Sequence, residues 1–443
     1  MSVEKMERYE FTSPMVANQL SAKKVRAPRI LMLLENEGYP ADSRVMLEAE
    51  SLRDAGYQVT VVCRKDDCRP SSEQVRGIQV YRYPAPLQIN GFAGYLLEYA
   101  YSMVALFLVA HYVWFRRGFD VVHVHTPPDM VGLIAIYFQC FGKKFVFDHH
   151  DLSPELFQAQ RDGGGSRFVV SALQFFERIA CRRANRLIAT NESQRSVQVE
   201  RCGAKLDDCV VVRNGPNEMF LEYEHDSQQA TQTDDRLVIG YVGVIGVQDG
   251  VDYLIRALHH LKFELGREDF RAVIVGNGPA MGELKRLTGE LELDGQIEFT
   301  GMIPFADVPN QISCFDVATT PDPSNAYNDS CTTIKTMEYM ALGKPTVCFE
   351  TAENKYTAGE SAVYAQNNDV KEFARAIARL LDAPEERTRL GELAKRRVLD
   401  GLTWQHQAQV LVGLYDDLFA VRRVDAKRAP TTRSSRSKAM VCD

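Results

Sequence analysis

The chain repeats one pattern twice. Short apolar runs alternate with amphipathic helical stretches, the signature of parallel sheets whose strands are joined by crossover helices. In the first set, residues 30–34, 59–63, 79–83, 121–125, 144–147, 186–190 and 209–212 read as strands, with helices at 43–55, 130–140 and 168–183. In the second, strands fall at 237–242, 271–275, 297–300, 317–320 and 346–349. Its helices fall at 251–265, 281–291, 331–342, 369–381 and 385–399, and a last helix at 404–419 follows a break at Gly401. The polar stretch 222–236 has few large apolar residues and reads as a linker. A chain of 443 residues is also too long for one ordinary core. The expected fold class is α/β, with two doubly wound domains at 27–221 and 237–402 facing across a cleft at the carboxyl ends of their strands.

Bulk properties narrow the partners. A net charge of −7 argues against nucleic acid. Ten cysteines without a CxxC read as reduced, mostly buried thiols, in keeping with a cytoplasmic location. Residues 1–26 lack an apolar core followed by a small-residue cleavage site, so they read as a disordered segment rather than a signal peptide. The tail 421–443 is basic and rich in Ser, Thr and Pro; an anionic membrane or plain solvent would suit it equally. Residues 92–114 are strongly apolar but interrupted by Glu98, Ser102 and His111. A membrane span needs about 20 cleanly apolar residues. A packed helix that can dip one face into the inner membrane surface fits better.

The chemistry concentrates between 328 and 345. A polar loop and a short helix lie there between two strands, with Asp329 or Ser330 as the expected N-cap and Gly343 and Pro345 as the stop. Lys335 and Glu338, three apart, share a helix face. Free N–H groups, a cation and a carboxylate at one cleft suit a phosphate joined to a sugar whose hydroxyls donate to the carboxylate. A capped surface helix with an ordinary ion pair is the bland alternative. Two further loops place glycine at strand-to-helix turns: Gly243, Gly246 and Gly250, then Gly276, Asn277, Gly278 and Gly282. Either loop can let a ligand approach the backbone or simply make a tight turn. The second is spaced GxGxxxG, and Glu298 lies inside the next strand rather than at its tip, so the dinucleotide fingerprint is weak.

Several segments in register resemble a known family. Phe119 to His125 followed by Pro127-Pro128, Phe147 to Glu155, Arg213-Asn214-Gly215, Gly276 to Pro279, Phe299 to Pro304, and Glu338 to Pro345 resemble the retaining, GT-B-type glycosyltransferases of family 4. The similarity runs from about Arg29 to Phe419. It implies two Rossmann-like domains, the first for an acceptor and the second for a nucleotide-sugar donor, with a helix at 403–420 crossing back to the first. It implies a metal-independent hexosyl transfer, with a UDP- or GDP-linked sugar as co-substrate and no separate cofactor. The acceptor would be a lipid-linked molecule or polysaccharide of the cell surface. A nucleotide-sugar epimerase on the same plan and a non-catalytic nucleotide-sugar binding protein are the alternatives.

The resemblance gives His125 a place at the donor sugar and Glu338 the donor ribose. It frames the base with Gly276, Asn277, Gly278, Gly301 and Met302. The family's Arg and Lys in the first glycine loop are replaced here by Val244 and Asp249, and its earlier glutamate by Ser330. The leaving diphosphate then falls to Lys335, to the N–H groups at Ser330–Thr333 and to the Ser330 and Thr332 hydroxyls, with Gly243 and Gly246 close by. On the acceptor side stand Gly38, Arg44, His149, His150 and Asp151, although Asp42 and Arg44 can equally serve the helix that starts at Ser43. By ligand type alone, His123, His125, His149, His150 and Asp151 could also hold a metal, but no motif spacing supports one.

Overall fold

The computed structural model describes residues 26–66, 69–86, 92–161, 165–223 and 236–420. The expected N-terminal segment, the centre of the linker and the basic tail lie outside the described residues.

The first sheet has eight strands: β1 (Arg29–Leu33), β2 (Gln58–Arg64), β3 (Ser72–Val75), β4 (Ile78–Tyr83), β5 (Val121–His125), β6 (Lys144–His149), β7 (Arg186–Ala189) and β8 (Cys209–Val211). Their order is β3-β4-β2-β1-β5-β6-β7-β8, and every pairing is parallel except β3 with β4. Five of its strands carry near-continuous Val, Ile, Leu and Phe runs because helices cover both sheet faces. The polar β3 was not expected. It is an edge strand in a hairpin and needs no apolar face.

The second sheet runs β11-β10-β9-β12-β13-β14, all parallel, from β9 (Leu237–Val242), β10 (Phe270–Val275), β11 (Ile297–Gly301), β12 (Val317–Thr320), β13 (Thr346–Phe349) and β14 (Ala362–Ala365). The edge strand β14 was also unforeseen; two of its four residues are alanine, a weak strand former. In both sheets the order reverses next to the first strand of the set, which places a crevice at the strand ends.

The chain returns to its first half. The helix Trp404–Phe419 buries Trp404, Leu411, Leu414, Tyr415 and Leu418 in one core with Ile30, Val61 and Val146. Trp404 Nε1 donates to Ser51 Oγ at 2.9 Å, and Tyr57 donates its hydroxyl to Asp416 at 2.6 Å. Ion pairs and hydrogen bonds tie the halves elsewhere. Arg213 meets Glu353 at 3.1 Å, Ser193 donates to the same carboxylate, and Asn191 Nδ2 donates to Ser330 O and Thr332 Oγ1.

Candidate functional site

The carboxyl ends of the two sheets meet at a cleft of about 750 Å³. Period-two alternation decides what the first domain presents. On β5, Val122 and Val124 pack in one core, while His123 and His125 point to the other face. On β6, Phe145 and Phe147 share a face with His149, so Asp148 falls beside His123 and His125. His149 therefore does not reach the acceptor side. It is fully buried on the opposite face, 3.5 Å from Glu177 and 4.0 Å from Asp129. Burial, helped by Arg201, lowers its imidazole to about 4, and burial raises Asp129 to about 8. Both His149 nitrogens and both Asp129 oxygens are without hydrogen-bond partners.

Beneath His125 lies a buried polar network. Arg44 donates to Asp148 through Nε and Nη2 at 3.3 and 3.0 Å, to Val212 O and to Asn214 Oδ1, and pairs with Glu48 at 3.1 Å. Its donors are spent inside the domain. Arg44 borders the cleft but is a structural strut rather than a substrate contact, a correction to its expected role. Burial alone would raise Asp148, yet Arg44 and the His150 imidazole hold it well below the ordinary carboxylate range. Its neighbour Glu48 goes the other way: burial and then the Asp148 charge raise it well above. Two carboxylates in one dry site cannot both ionise. The site favours the anion at Asp148 and the protonated form at Glu48.

This fixes the imidazoles. His150 Nε2 lies 2.9 Å and His125 Nδ1 3.4 Å from Asp148 Oδ2, so both can donate to the anion. The pKa of His125 is lowered by burial, so its ring is neutral. With the proton on Nδ1, Nε2 is a bare acceptor, and it is a buried atom without a partner. His123, pushed well down by burial, meets the Tyr415 hydroxyl at 2.9 Å through Nδ1. Ligand atoms of Glu48, His123, His125 and Asp148 lie within 4.8 Å of one another, a spacing compatible with a metal ion. The Arg44 guanidinium already occupies the space between the two carboxylates and supplies the positive charge. A divalent cation there would face it at close range, so the set fits a shared proton better than a metal.

The second domain's wall departs from expectation at the glycines. Gly243 N donates to Val275 O, Gly276 N to Gly301 O, Gly246 N to Asp249 Oδ2 and Gly278 N to Asn277 Oδ1. A Cβ on Gly276, at φ 132°, would fall 1.9 Å from Gly243 O. The two loops interlock, and glycine is needed for their mutual approach; these N–H groups are not free for phosphate. Gly243, Gly276 and Met302 border the cleft. Gly246 instead lines an adjoining cavity of about 650 Å³ with Glu155, Tyr253 and Arg256. Asn277, Gly278, Gly301 and, on the first domain, Gly38 lie outside the cleft lining. Gly38 turns the loop by accepting from Ala41 N and Asp42 N.

The loop before Lys335 is also rearranged. A single 3-10 turn, Asn328–Ser330, precedes the helix Ile334–Ala341, whose N-cap is Thr333. Ser330 is buried, and its hydroxyl donates back to Tyr327 O at 2.8 Å. It is neither the cap nor a phosphate ligand. Asp329 accepts from Ser324 instead of capping. Thr332, Thr333, Ile334, Lys335 and Glu338 line the cleft. No side chain caps this helix, and Thr333, Ile334 and Lys335, whose N–H groups open it, line the cleft.

Lys335 is not the free cation that the sequence suggested. Its Nζ donates to both oxygens of Asp322 at 3.0 and 3.1 Å and to the Tyr241 hydroxyl at 3.3 Å. Asp249 lies at 3.6 Å and the Tyr241 ring beneath. Burial would lower the ammonium, but Asp322, the Tyr241 hydroxyl and Asp249 raise it well above its ordinary value. Asp249, standing where the family carries a lysine, binds the lysine that remains. Glu338 projects from the next turn with burial as the sole cause of a pKa raised to about 7. Across the cleft, Tyr327 donates its hydroxyl to Asp151 at 3.1 Å, closing the domains over the site.

Residues 43–218 match the family profile described as Glycosyltransferase Family 4, and residues 236–383 match Glycosyl transferases group 1. The chain belongs to the group 1, family 4 glycosyltransferases. An alpha-D-kanosaminyltransferase of Streptomyces kanamyceticus is 30% identical over 187 residues, 42% of this chain and 47% of that enzyme. The chain thus spans about half the length of that curated relative. Among solved structures, sucrose-phosphate synthase from Thermosynechococcus elongatus shares the fold with a TM-score of 0.73 at 18% identity, over 90% of this chain and 100% of that one. HepE of Anabaena, solved in complex with UDP-glucose, has a TM-score of 0.63 at 17% identity, over 89% and 100% of the two chains. The architecture of the family 4 protein is therefore GT-B: two parallel-sheet α/β domains about one cleft.

Sequence reasoning missed Glu48, Asp148, Tyr415, Asn191 and Glu353. Asp148 was within reach, since it pairs in register with His125 across the β5–β6 ladder. Glu48 reads in sequence as an ordinary i,i+4 partner of Arg44 on a surface helix. Asn191, Glu353 and Tyr415 come from distant segments and carry no local signal.

Proposed function

We propose that this family 4 protein transfers a hexose-type sugar from a UDP- or GDP-linked donor, with retention of configuration, to a lipid-linked or polysaccharide acceptor. The observation that carries the reading is that neutral His125 from the first domain and the buried carboxyl of Glu338 from the second line one cleft, where a hydroxyl-rich donor can meet both. The second-domain fold, shared with a protein solved with UDP-glucose, supports placing the nucleotide on that side. Glu338 accepts from ribose hydroxyls, and a sugar hydroxyl donates to His125.

The leaving diphosphate is the demanding part. Seven carboxylates line the cleft, from Glu35, Glu37, Asp42, Asp151, Asp249, Asp322 and Glu338. Against them stand only Arg44 and Lys335 among the described residues, each already paired. The N–H groups opening the helix Ile334–Ala341 supply the main stabilisation of the developing charge, at about 3–4 kcal/mol for a well-placed donor. Lys335 keeps the floor from repelling the anion by holding Asp249 and Asp322. Closing Tyr327 onto Asp151 excludes water, which limits donor hydrolysis.

The test is an NMR time course of the full chain with UDP-glucose or GDP-mannose, with and without glycan acceptors. The reading expects acceptor-dependent loss of donor and an anomerically retained product. Epimerised donor without acceptor would replace it with an isomerase. Donor binding with no turnover on any acceptor would leave a binding protein.

A further inference from the structure

We infer that the outer helical face of the first domain docks on an anionic lipid bilayer. The helix Phe92–Arg116 is 25 residues, about 37 Å long. It buries Ser102, Leu106, Ala110 and Val113 against the sheet, so it cannot leave the domain to span a membrane without opening that core. Its other face carries Leu97, Tyr101, Val104, Leu108, Tyr112 and Phe115, all exposed at helical spacing, with Leu108 at 62% and Phe115 at 80%. A soluble helix would present polar groups there.

The stripe continues onto the neighbouring helices. Tyr137 and Phe141, at and beyond the end of the helix Gly132–Gln139, are also exposed and meet the first helix through Phe107–Tyr137 and Trp114–Phe141 ring contacts of 5.0 and 4.9 Å. On the helix Arg167–Arg183, which packs against the same sheet face, Phe168, Phe175, Arg178 and Arg182 share one exposed side.

Charge selects the occupant. In a chain of net charge −7, these three helices have no exposed carboxylate: Glu98 is half-buried and paired with Arg64, and Glu177 is buried. The exposed charged residues of these helices and of the residue that follows the first are Arg116, Arg117, Arg167, Arg178, Arg182 and Arg183. An apolar band on helices whose exposed charged residues are all cations fits an acidic lipid surface, with insertion of about 5–10 Å. A second copy of the chain would bring the same cations against one another. The face is coupled to the cleft, because Ser102 donates to Glu35 on the cleft wall at 2.9 Å. Resting on the proposed function, this places a membrane-bound acceptor at the acidic rim.

The experiment is flotation of the full chain with phosphatidylglycerol–phosphatidylcholine vesicles, against pure phosphatidylcholine. Leu108→Asp/Phe115→Asp, both exposed, should keep the thermal midpoint and lower binding to acidic vesicles roughly tenfold or more. Arg116→Glu/Arg178→Glu should lower it severalfold, and salt should weaken the wild type. No wild-type binding to acidic vesicles would overturn the inference. So would full binding by the Leu108→Asp/Phe115→Asp variant, which would assign the contact to the basic tail. A concentration-dependent dimer abolished by that variant, without vesicle binding, would make the face a self-interface instead. None of these readouts depends on turnover, so the docking face can fail or stand independently of glycosyl transfer.

Discussion

Each wall of the cleft holds one cation between two carboxyl groups, and the two triads do different work. In the first domain, Arg44 lies between Asp148 and Glu48, buried, with its remaining donors on backbone and Asn214. In the second, Lys335 lies between Asp322 and Asp249 at the cleft floor. The Arg44 triad ends in imidazoles, so its charge balance becomes a hydrogen-bonding direction at His125. The Lys335 triad ends at open space, so its balance becomes the potential that an arriving diphosphate meets. A planar guanidinium can satisfy a buried site completely, whereas a compact ammonium leaves room for ligand-linked change.

Breaking the first triad should have the largest effect. Arg44→Met leaves Asp148 buried without its counter-ion, and denaturant unfolding should show a loss of about 3–5 kcal/mol. At the floor, Lys335→Ala is expected to lower kcat/KM about 100-fold, or ~3 kcal/mol, with a smaller loss of stability. Equal stability losses for the two variants would erase the distinction between strut and floor. Tyr415→Phe removes the hydroxyl at His123 and should cost about 1–3 kcal/mol of stability while leaving donor affinity unchanged. The smallest effect should be a gain: Asp249→Asn, by removing one negative charge near the diphosphate, should tighten UDP binding roughly threefold to tenfold by calorimetry.

The parallel sheets were legible because strands buried on both faces must be nearly all apolar, as in Leu31–Leu34 or Val121–Val124. Edge strand β3 escaped because an edge needs little apolar sequence, and β14 because half of its Ala-Val-Tyr-Ala is alanine, a weak strand former. The position of the helix carrying Lys335 and Glu338 was readable to within one turn. Its cap was not, since Ser330, Thr332 and Thr333 are all acceptable caps and tertiary contacts from Asn191 and Tyr327 decide among them. His149 was misplaced although alternation on β6 argued for the opposite face. The pairing of Lys335 with Asp249 and Asp322 joins a helix to two separate turns, so no local pattern announces it. That pairing is why a cation that looked available from sequence is already occupied.

The central claim is that Glu338 receives donor hydroxyls. Burial raises its carboxyl to about 7 from an ordinary 4.5, so the protonated form favours folding. Its stabilising contribution is full below about 4.5 and lost as pH rises through about 7. Hydroxyl donors favour the carboxylate, so donor binding must expel the proton, and affinity should rise with pH until about 8. Calorimetric titration of UDP-glucose and GDP-mannose near pH 6.5, in buffers of different ionisation enthalpy, reads this directly. The account predicts release of about half a proton or more for the donor that binds, abolished in Glu338→Gln. Donor binding with no proton release, and with the same affinity in Glu338→Gln, would contradict it.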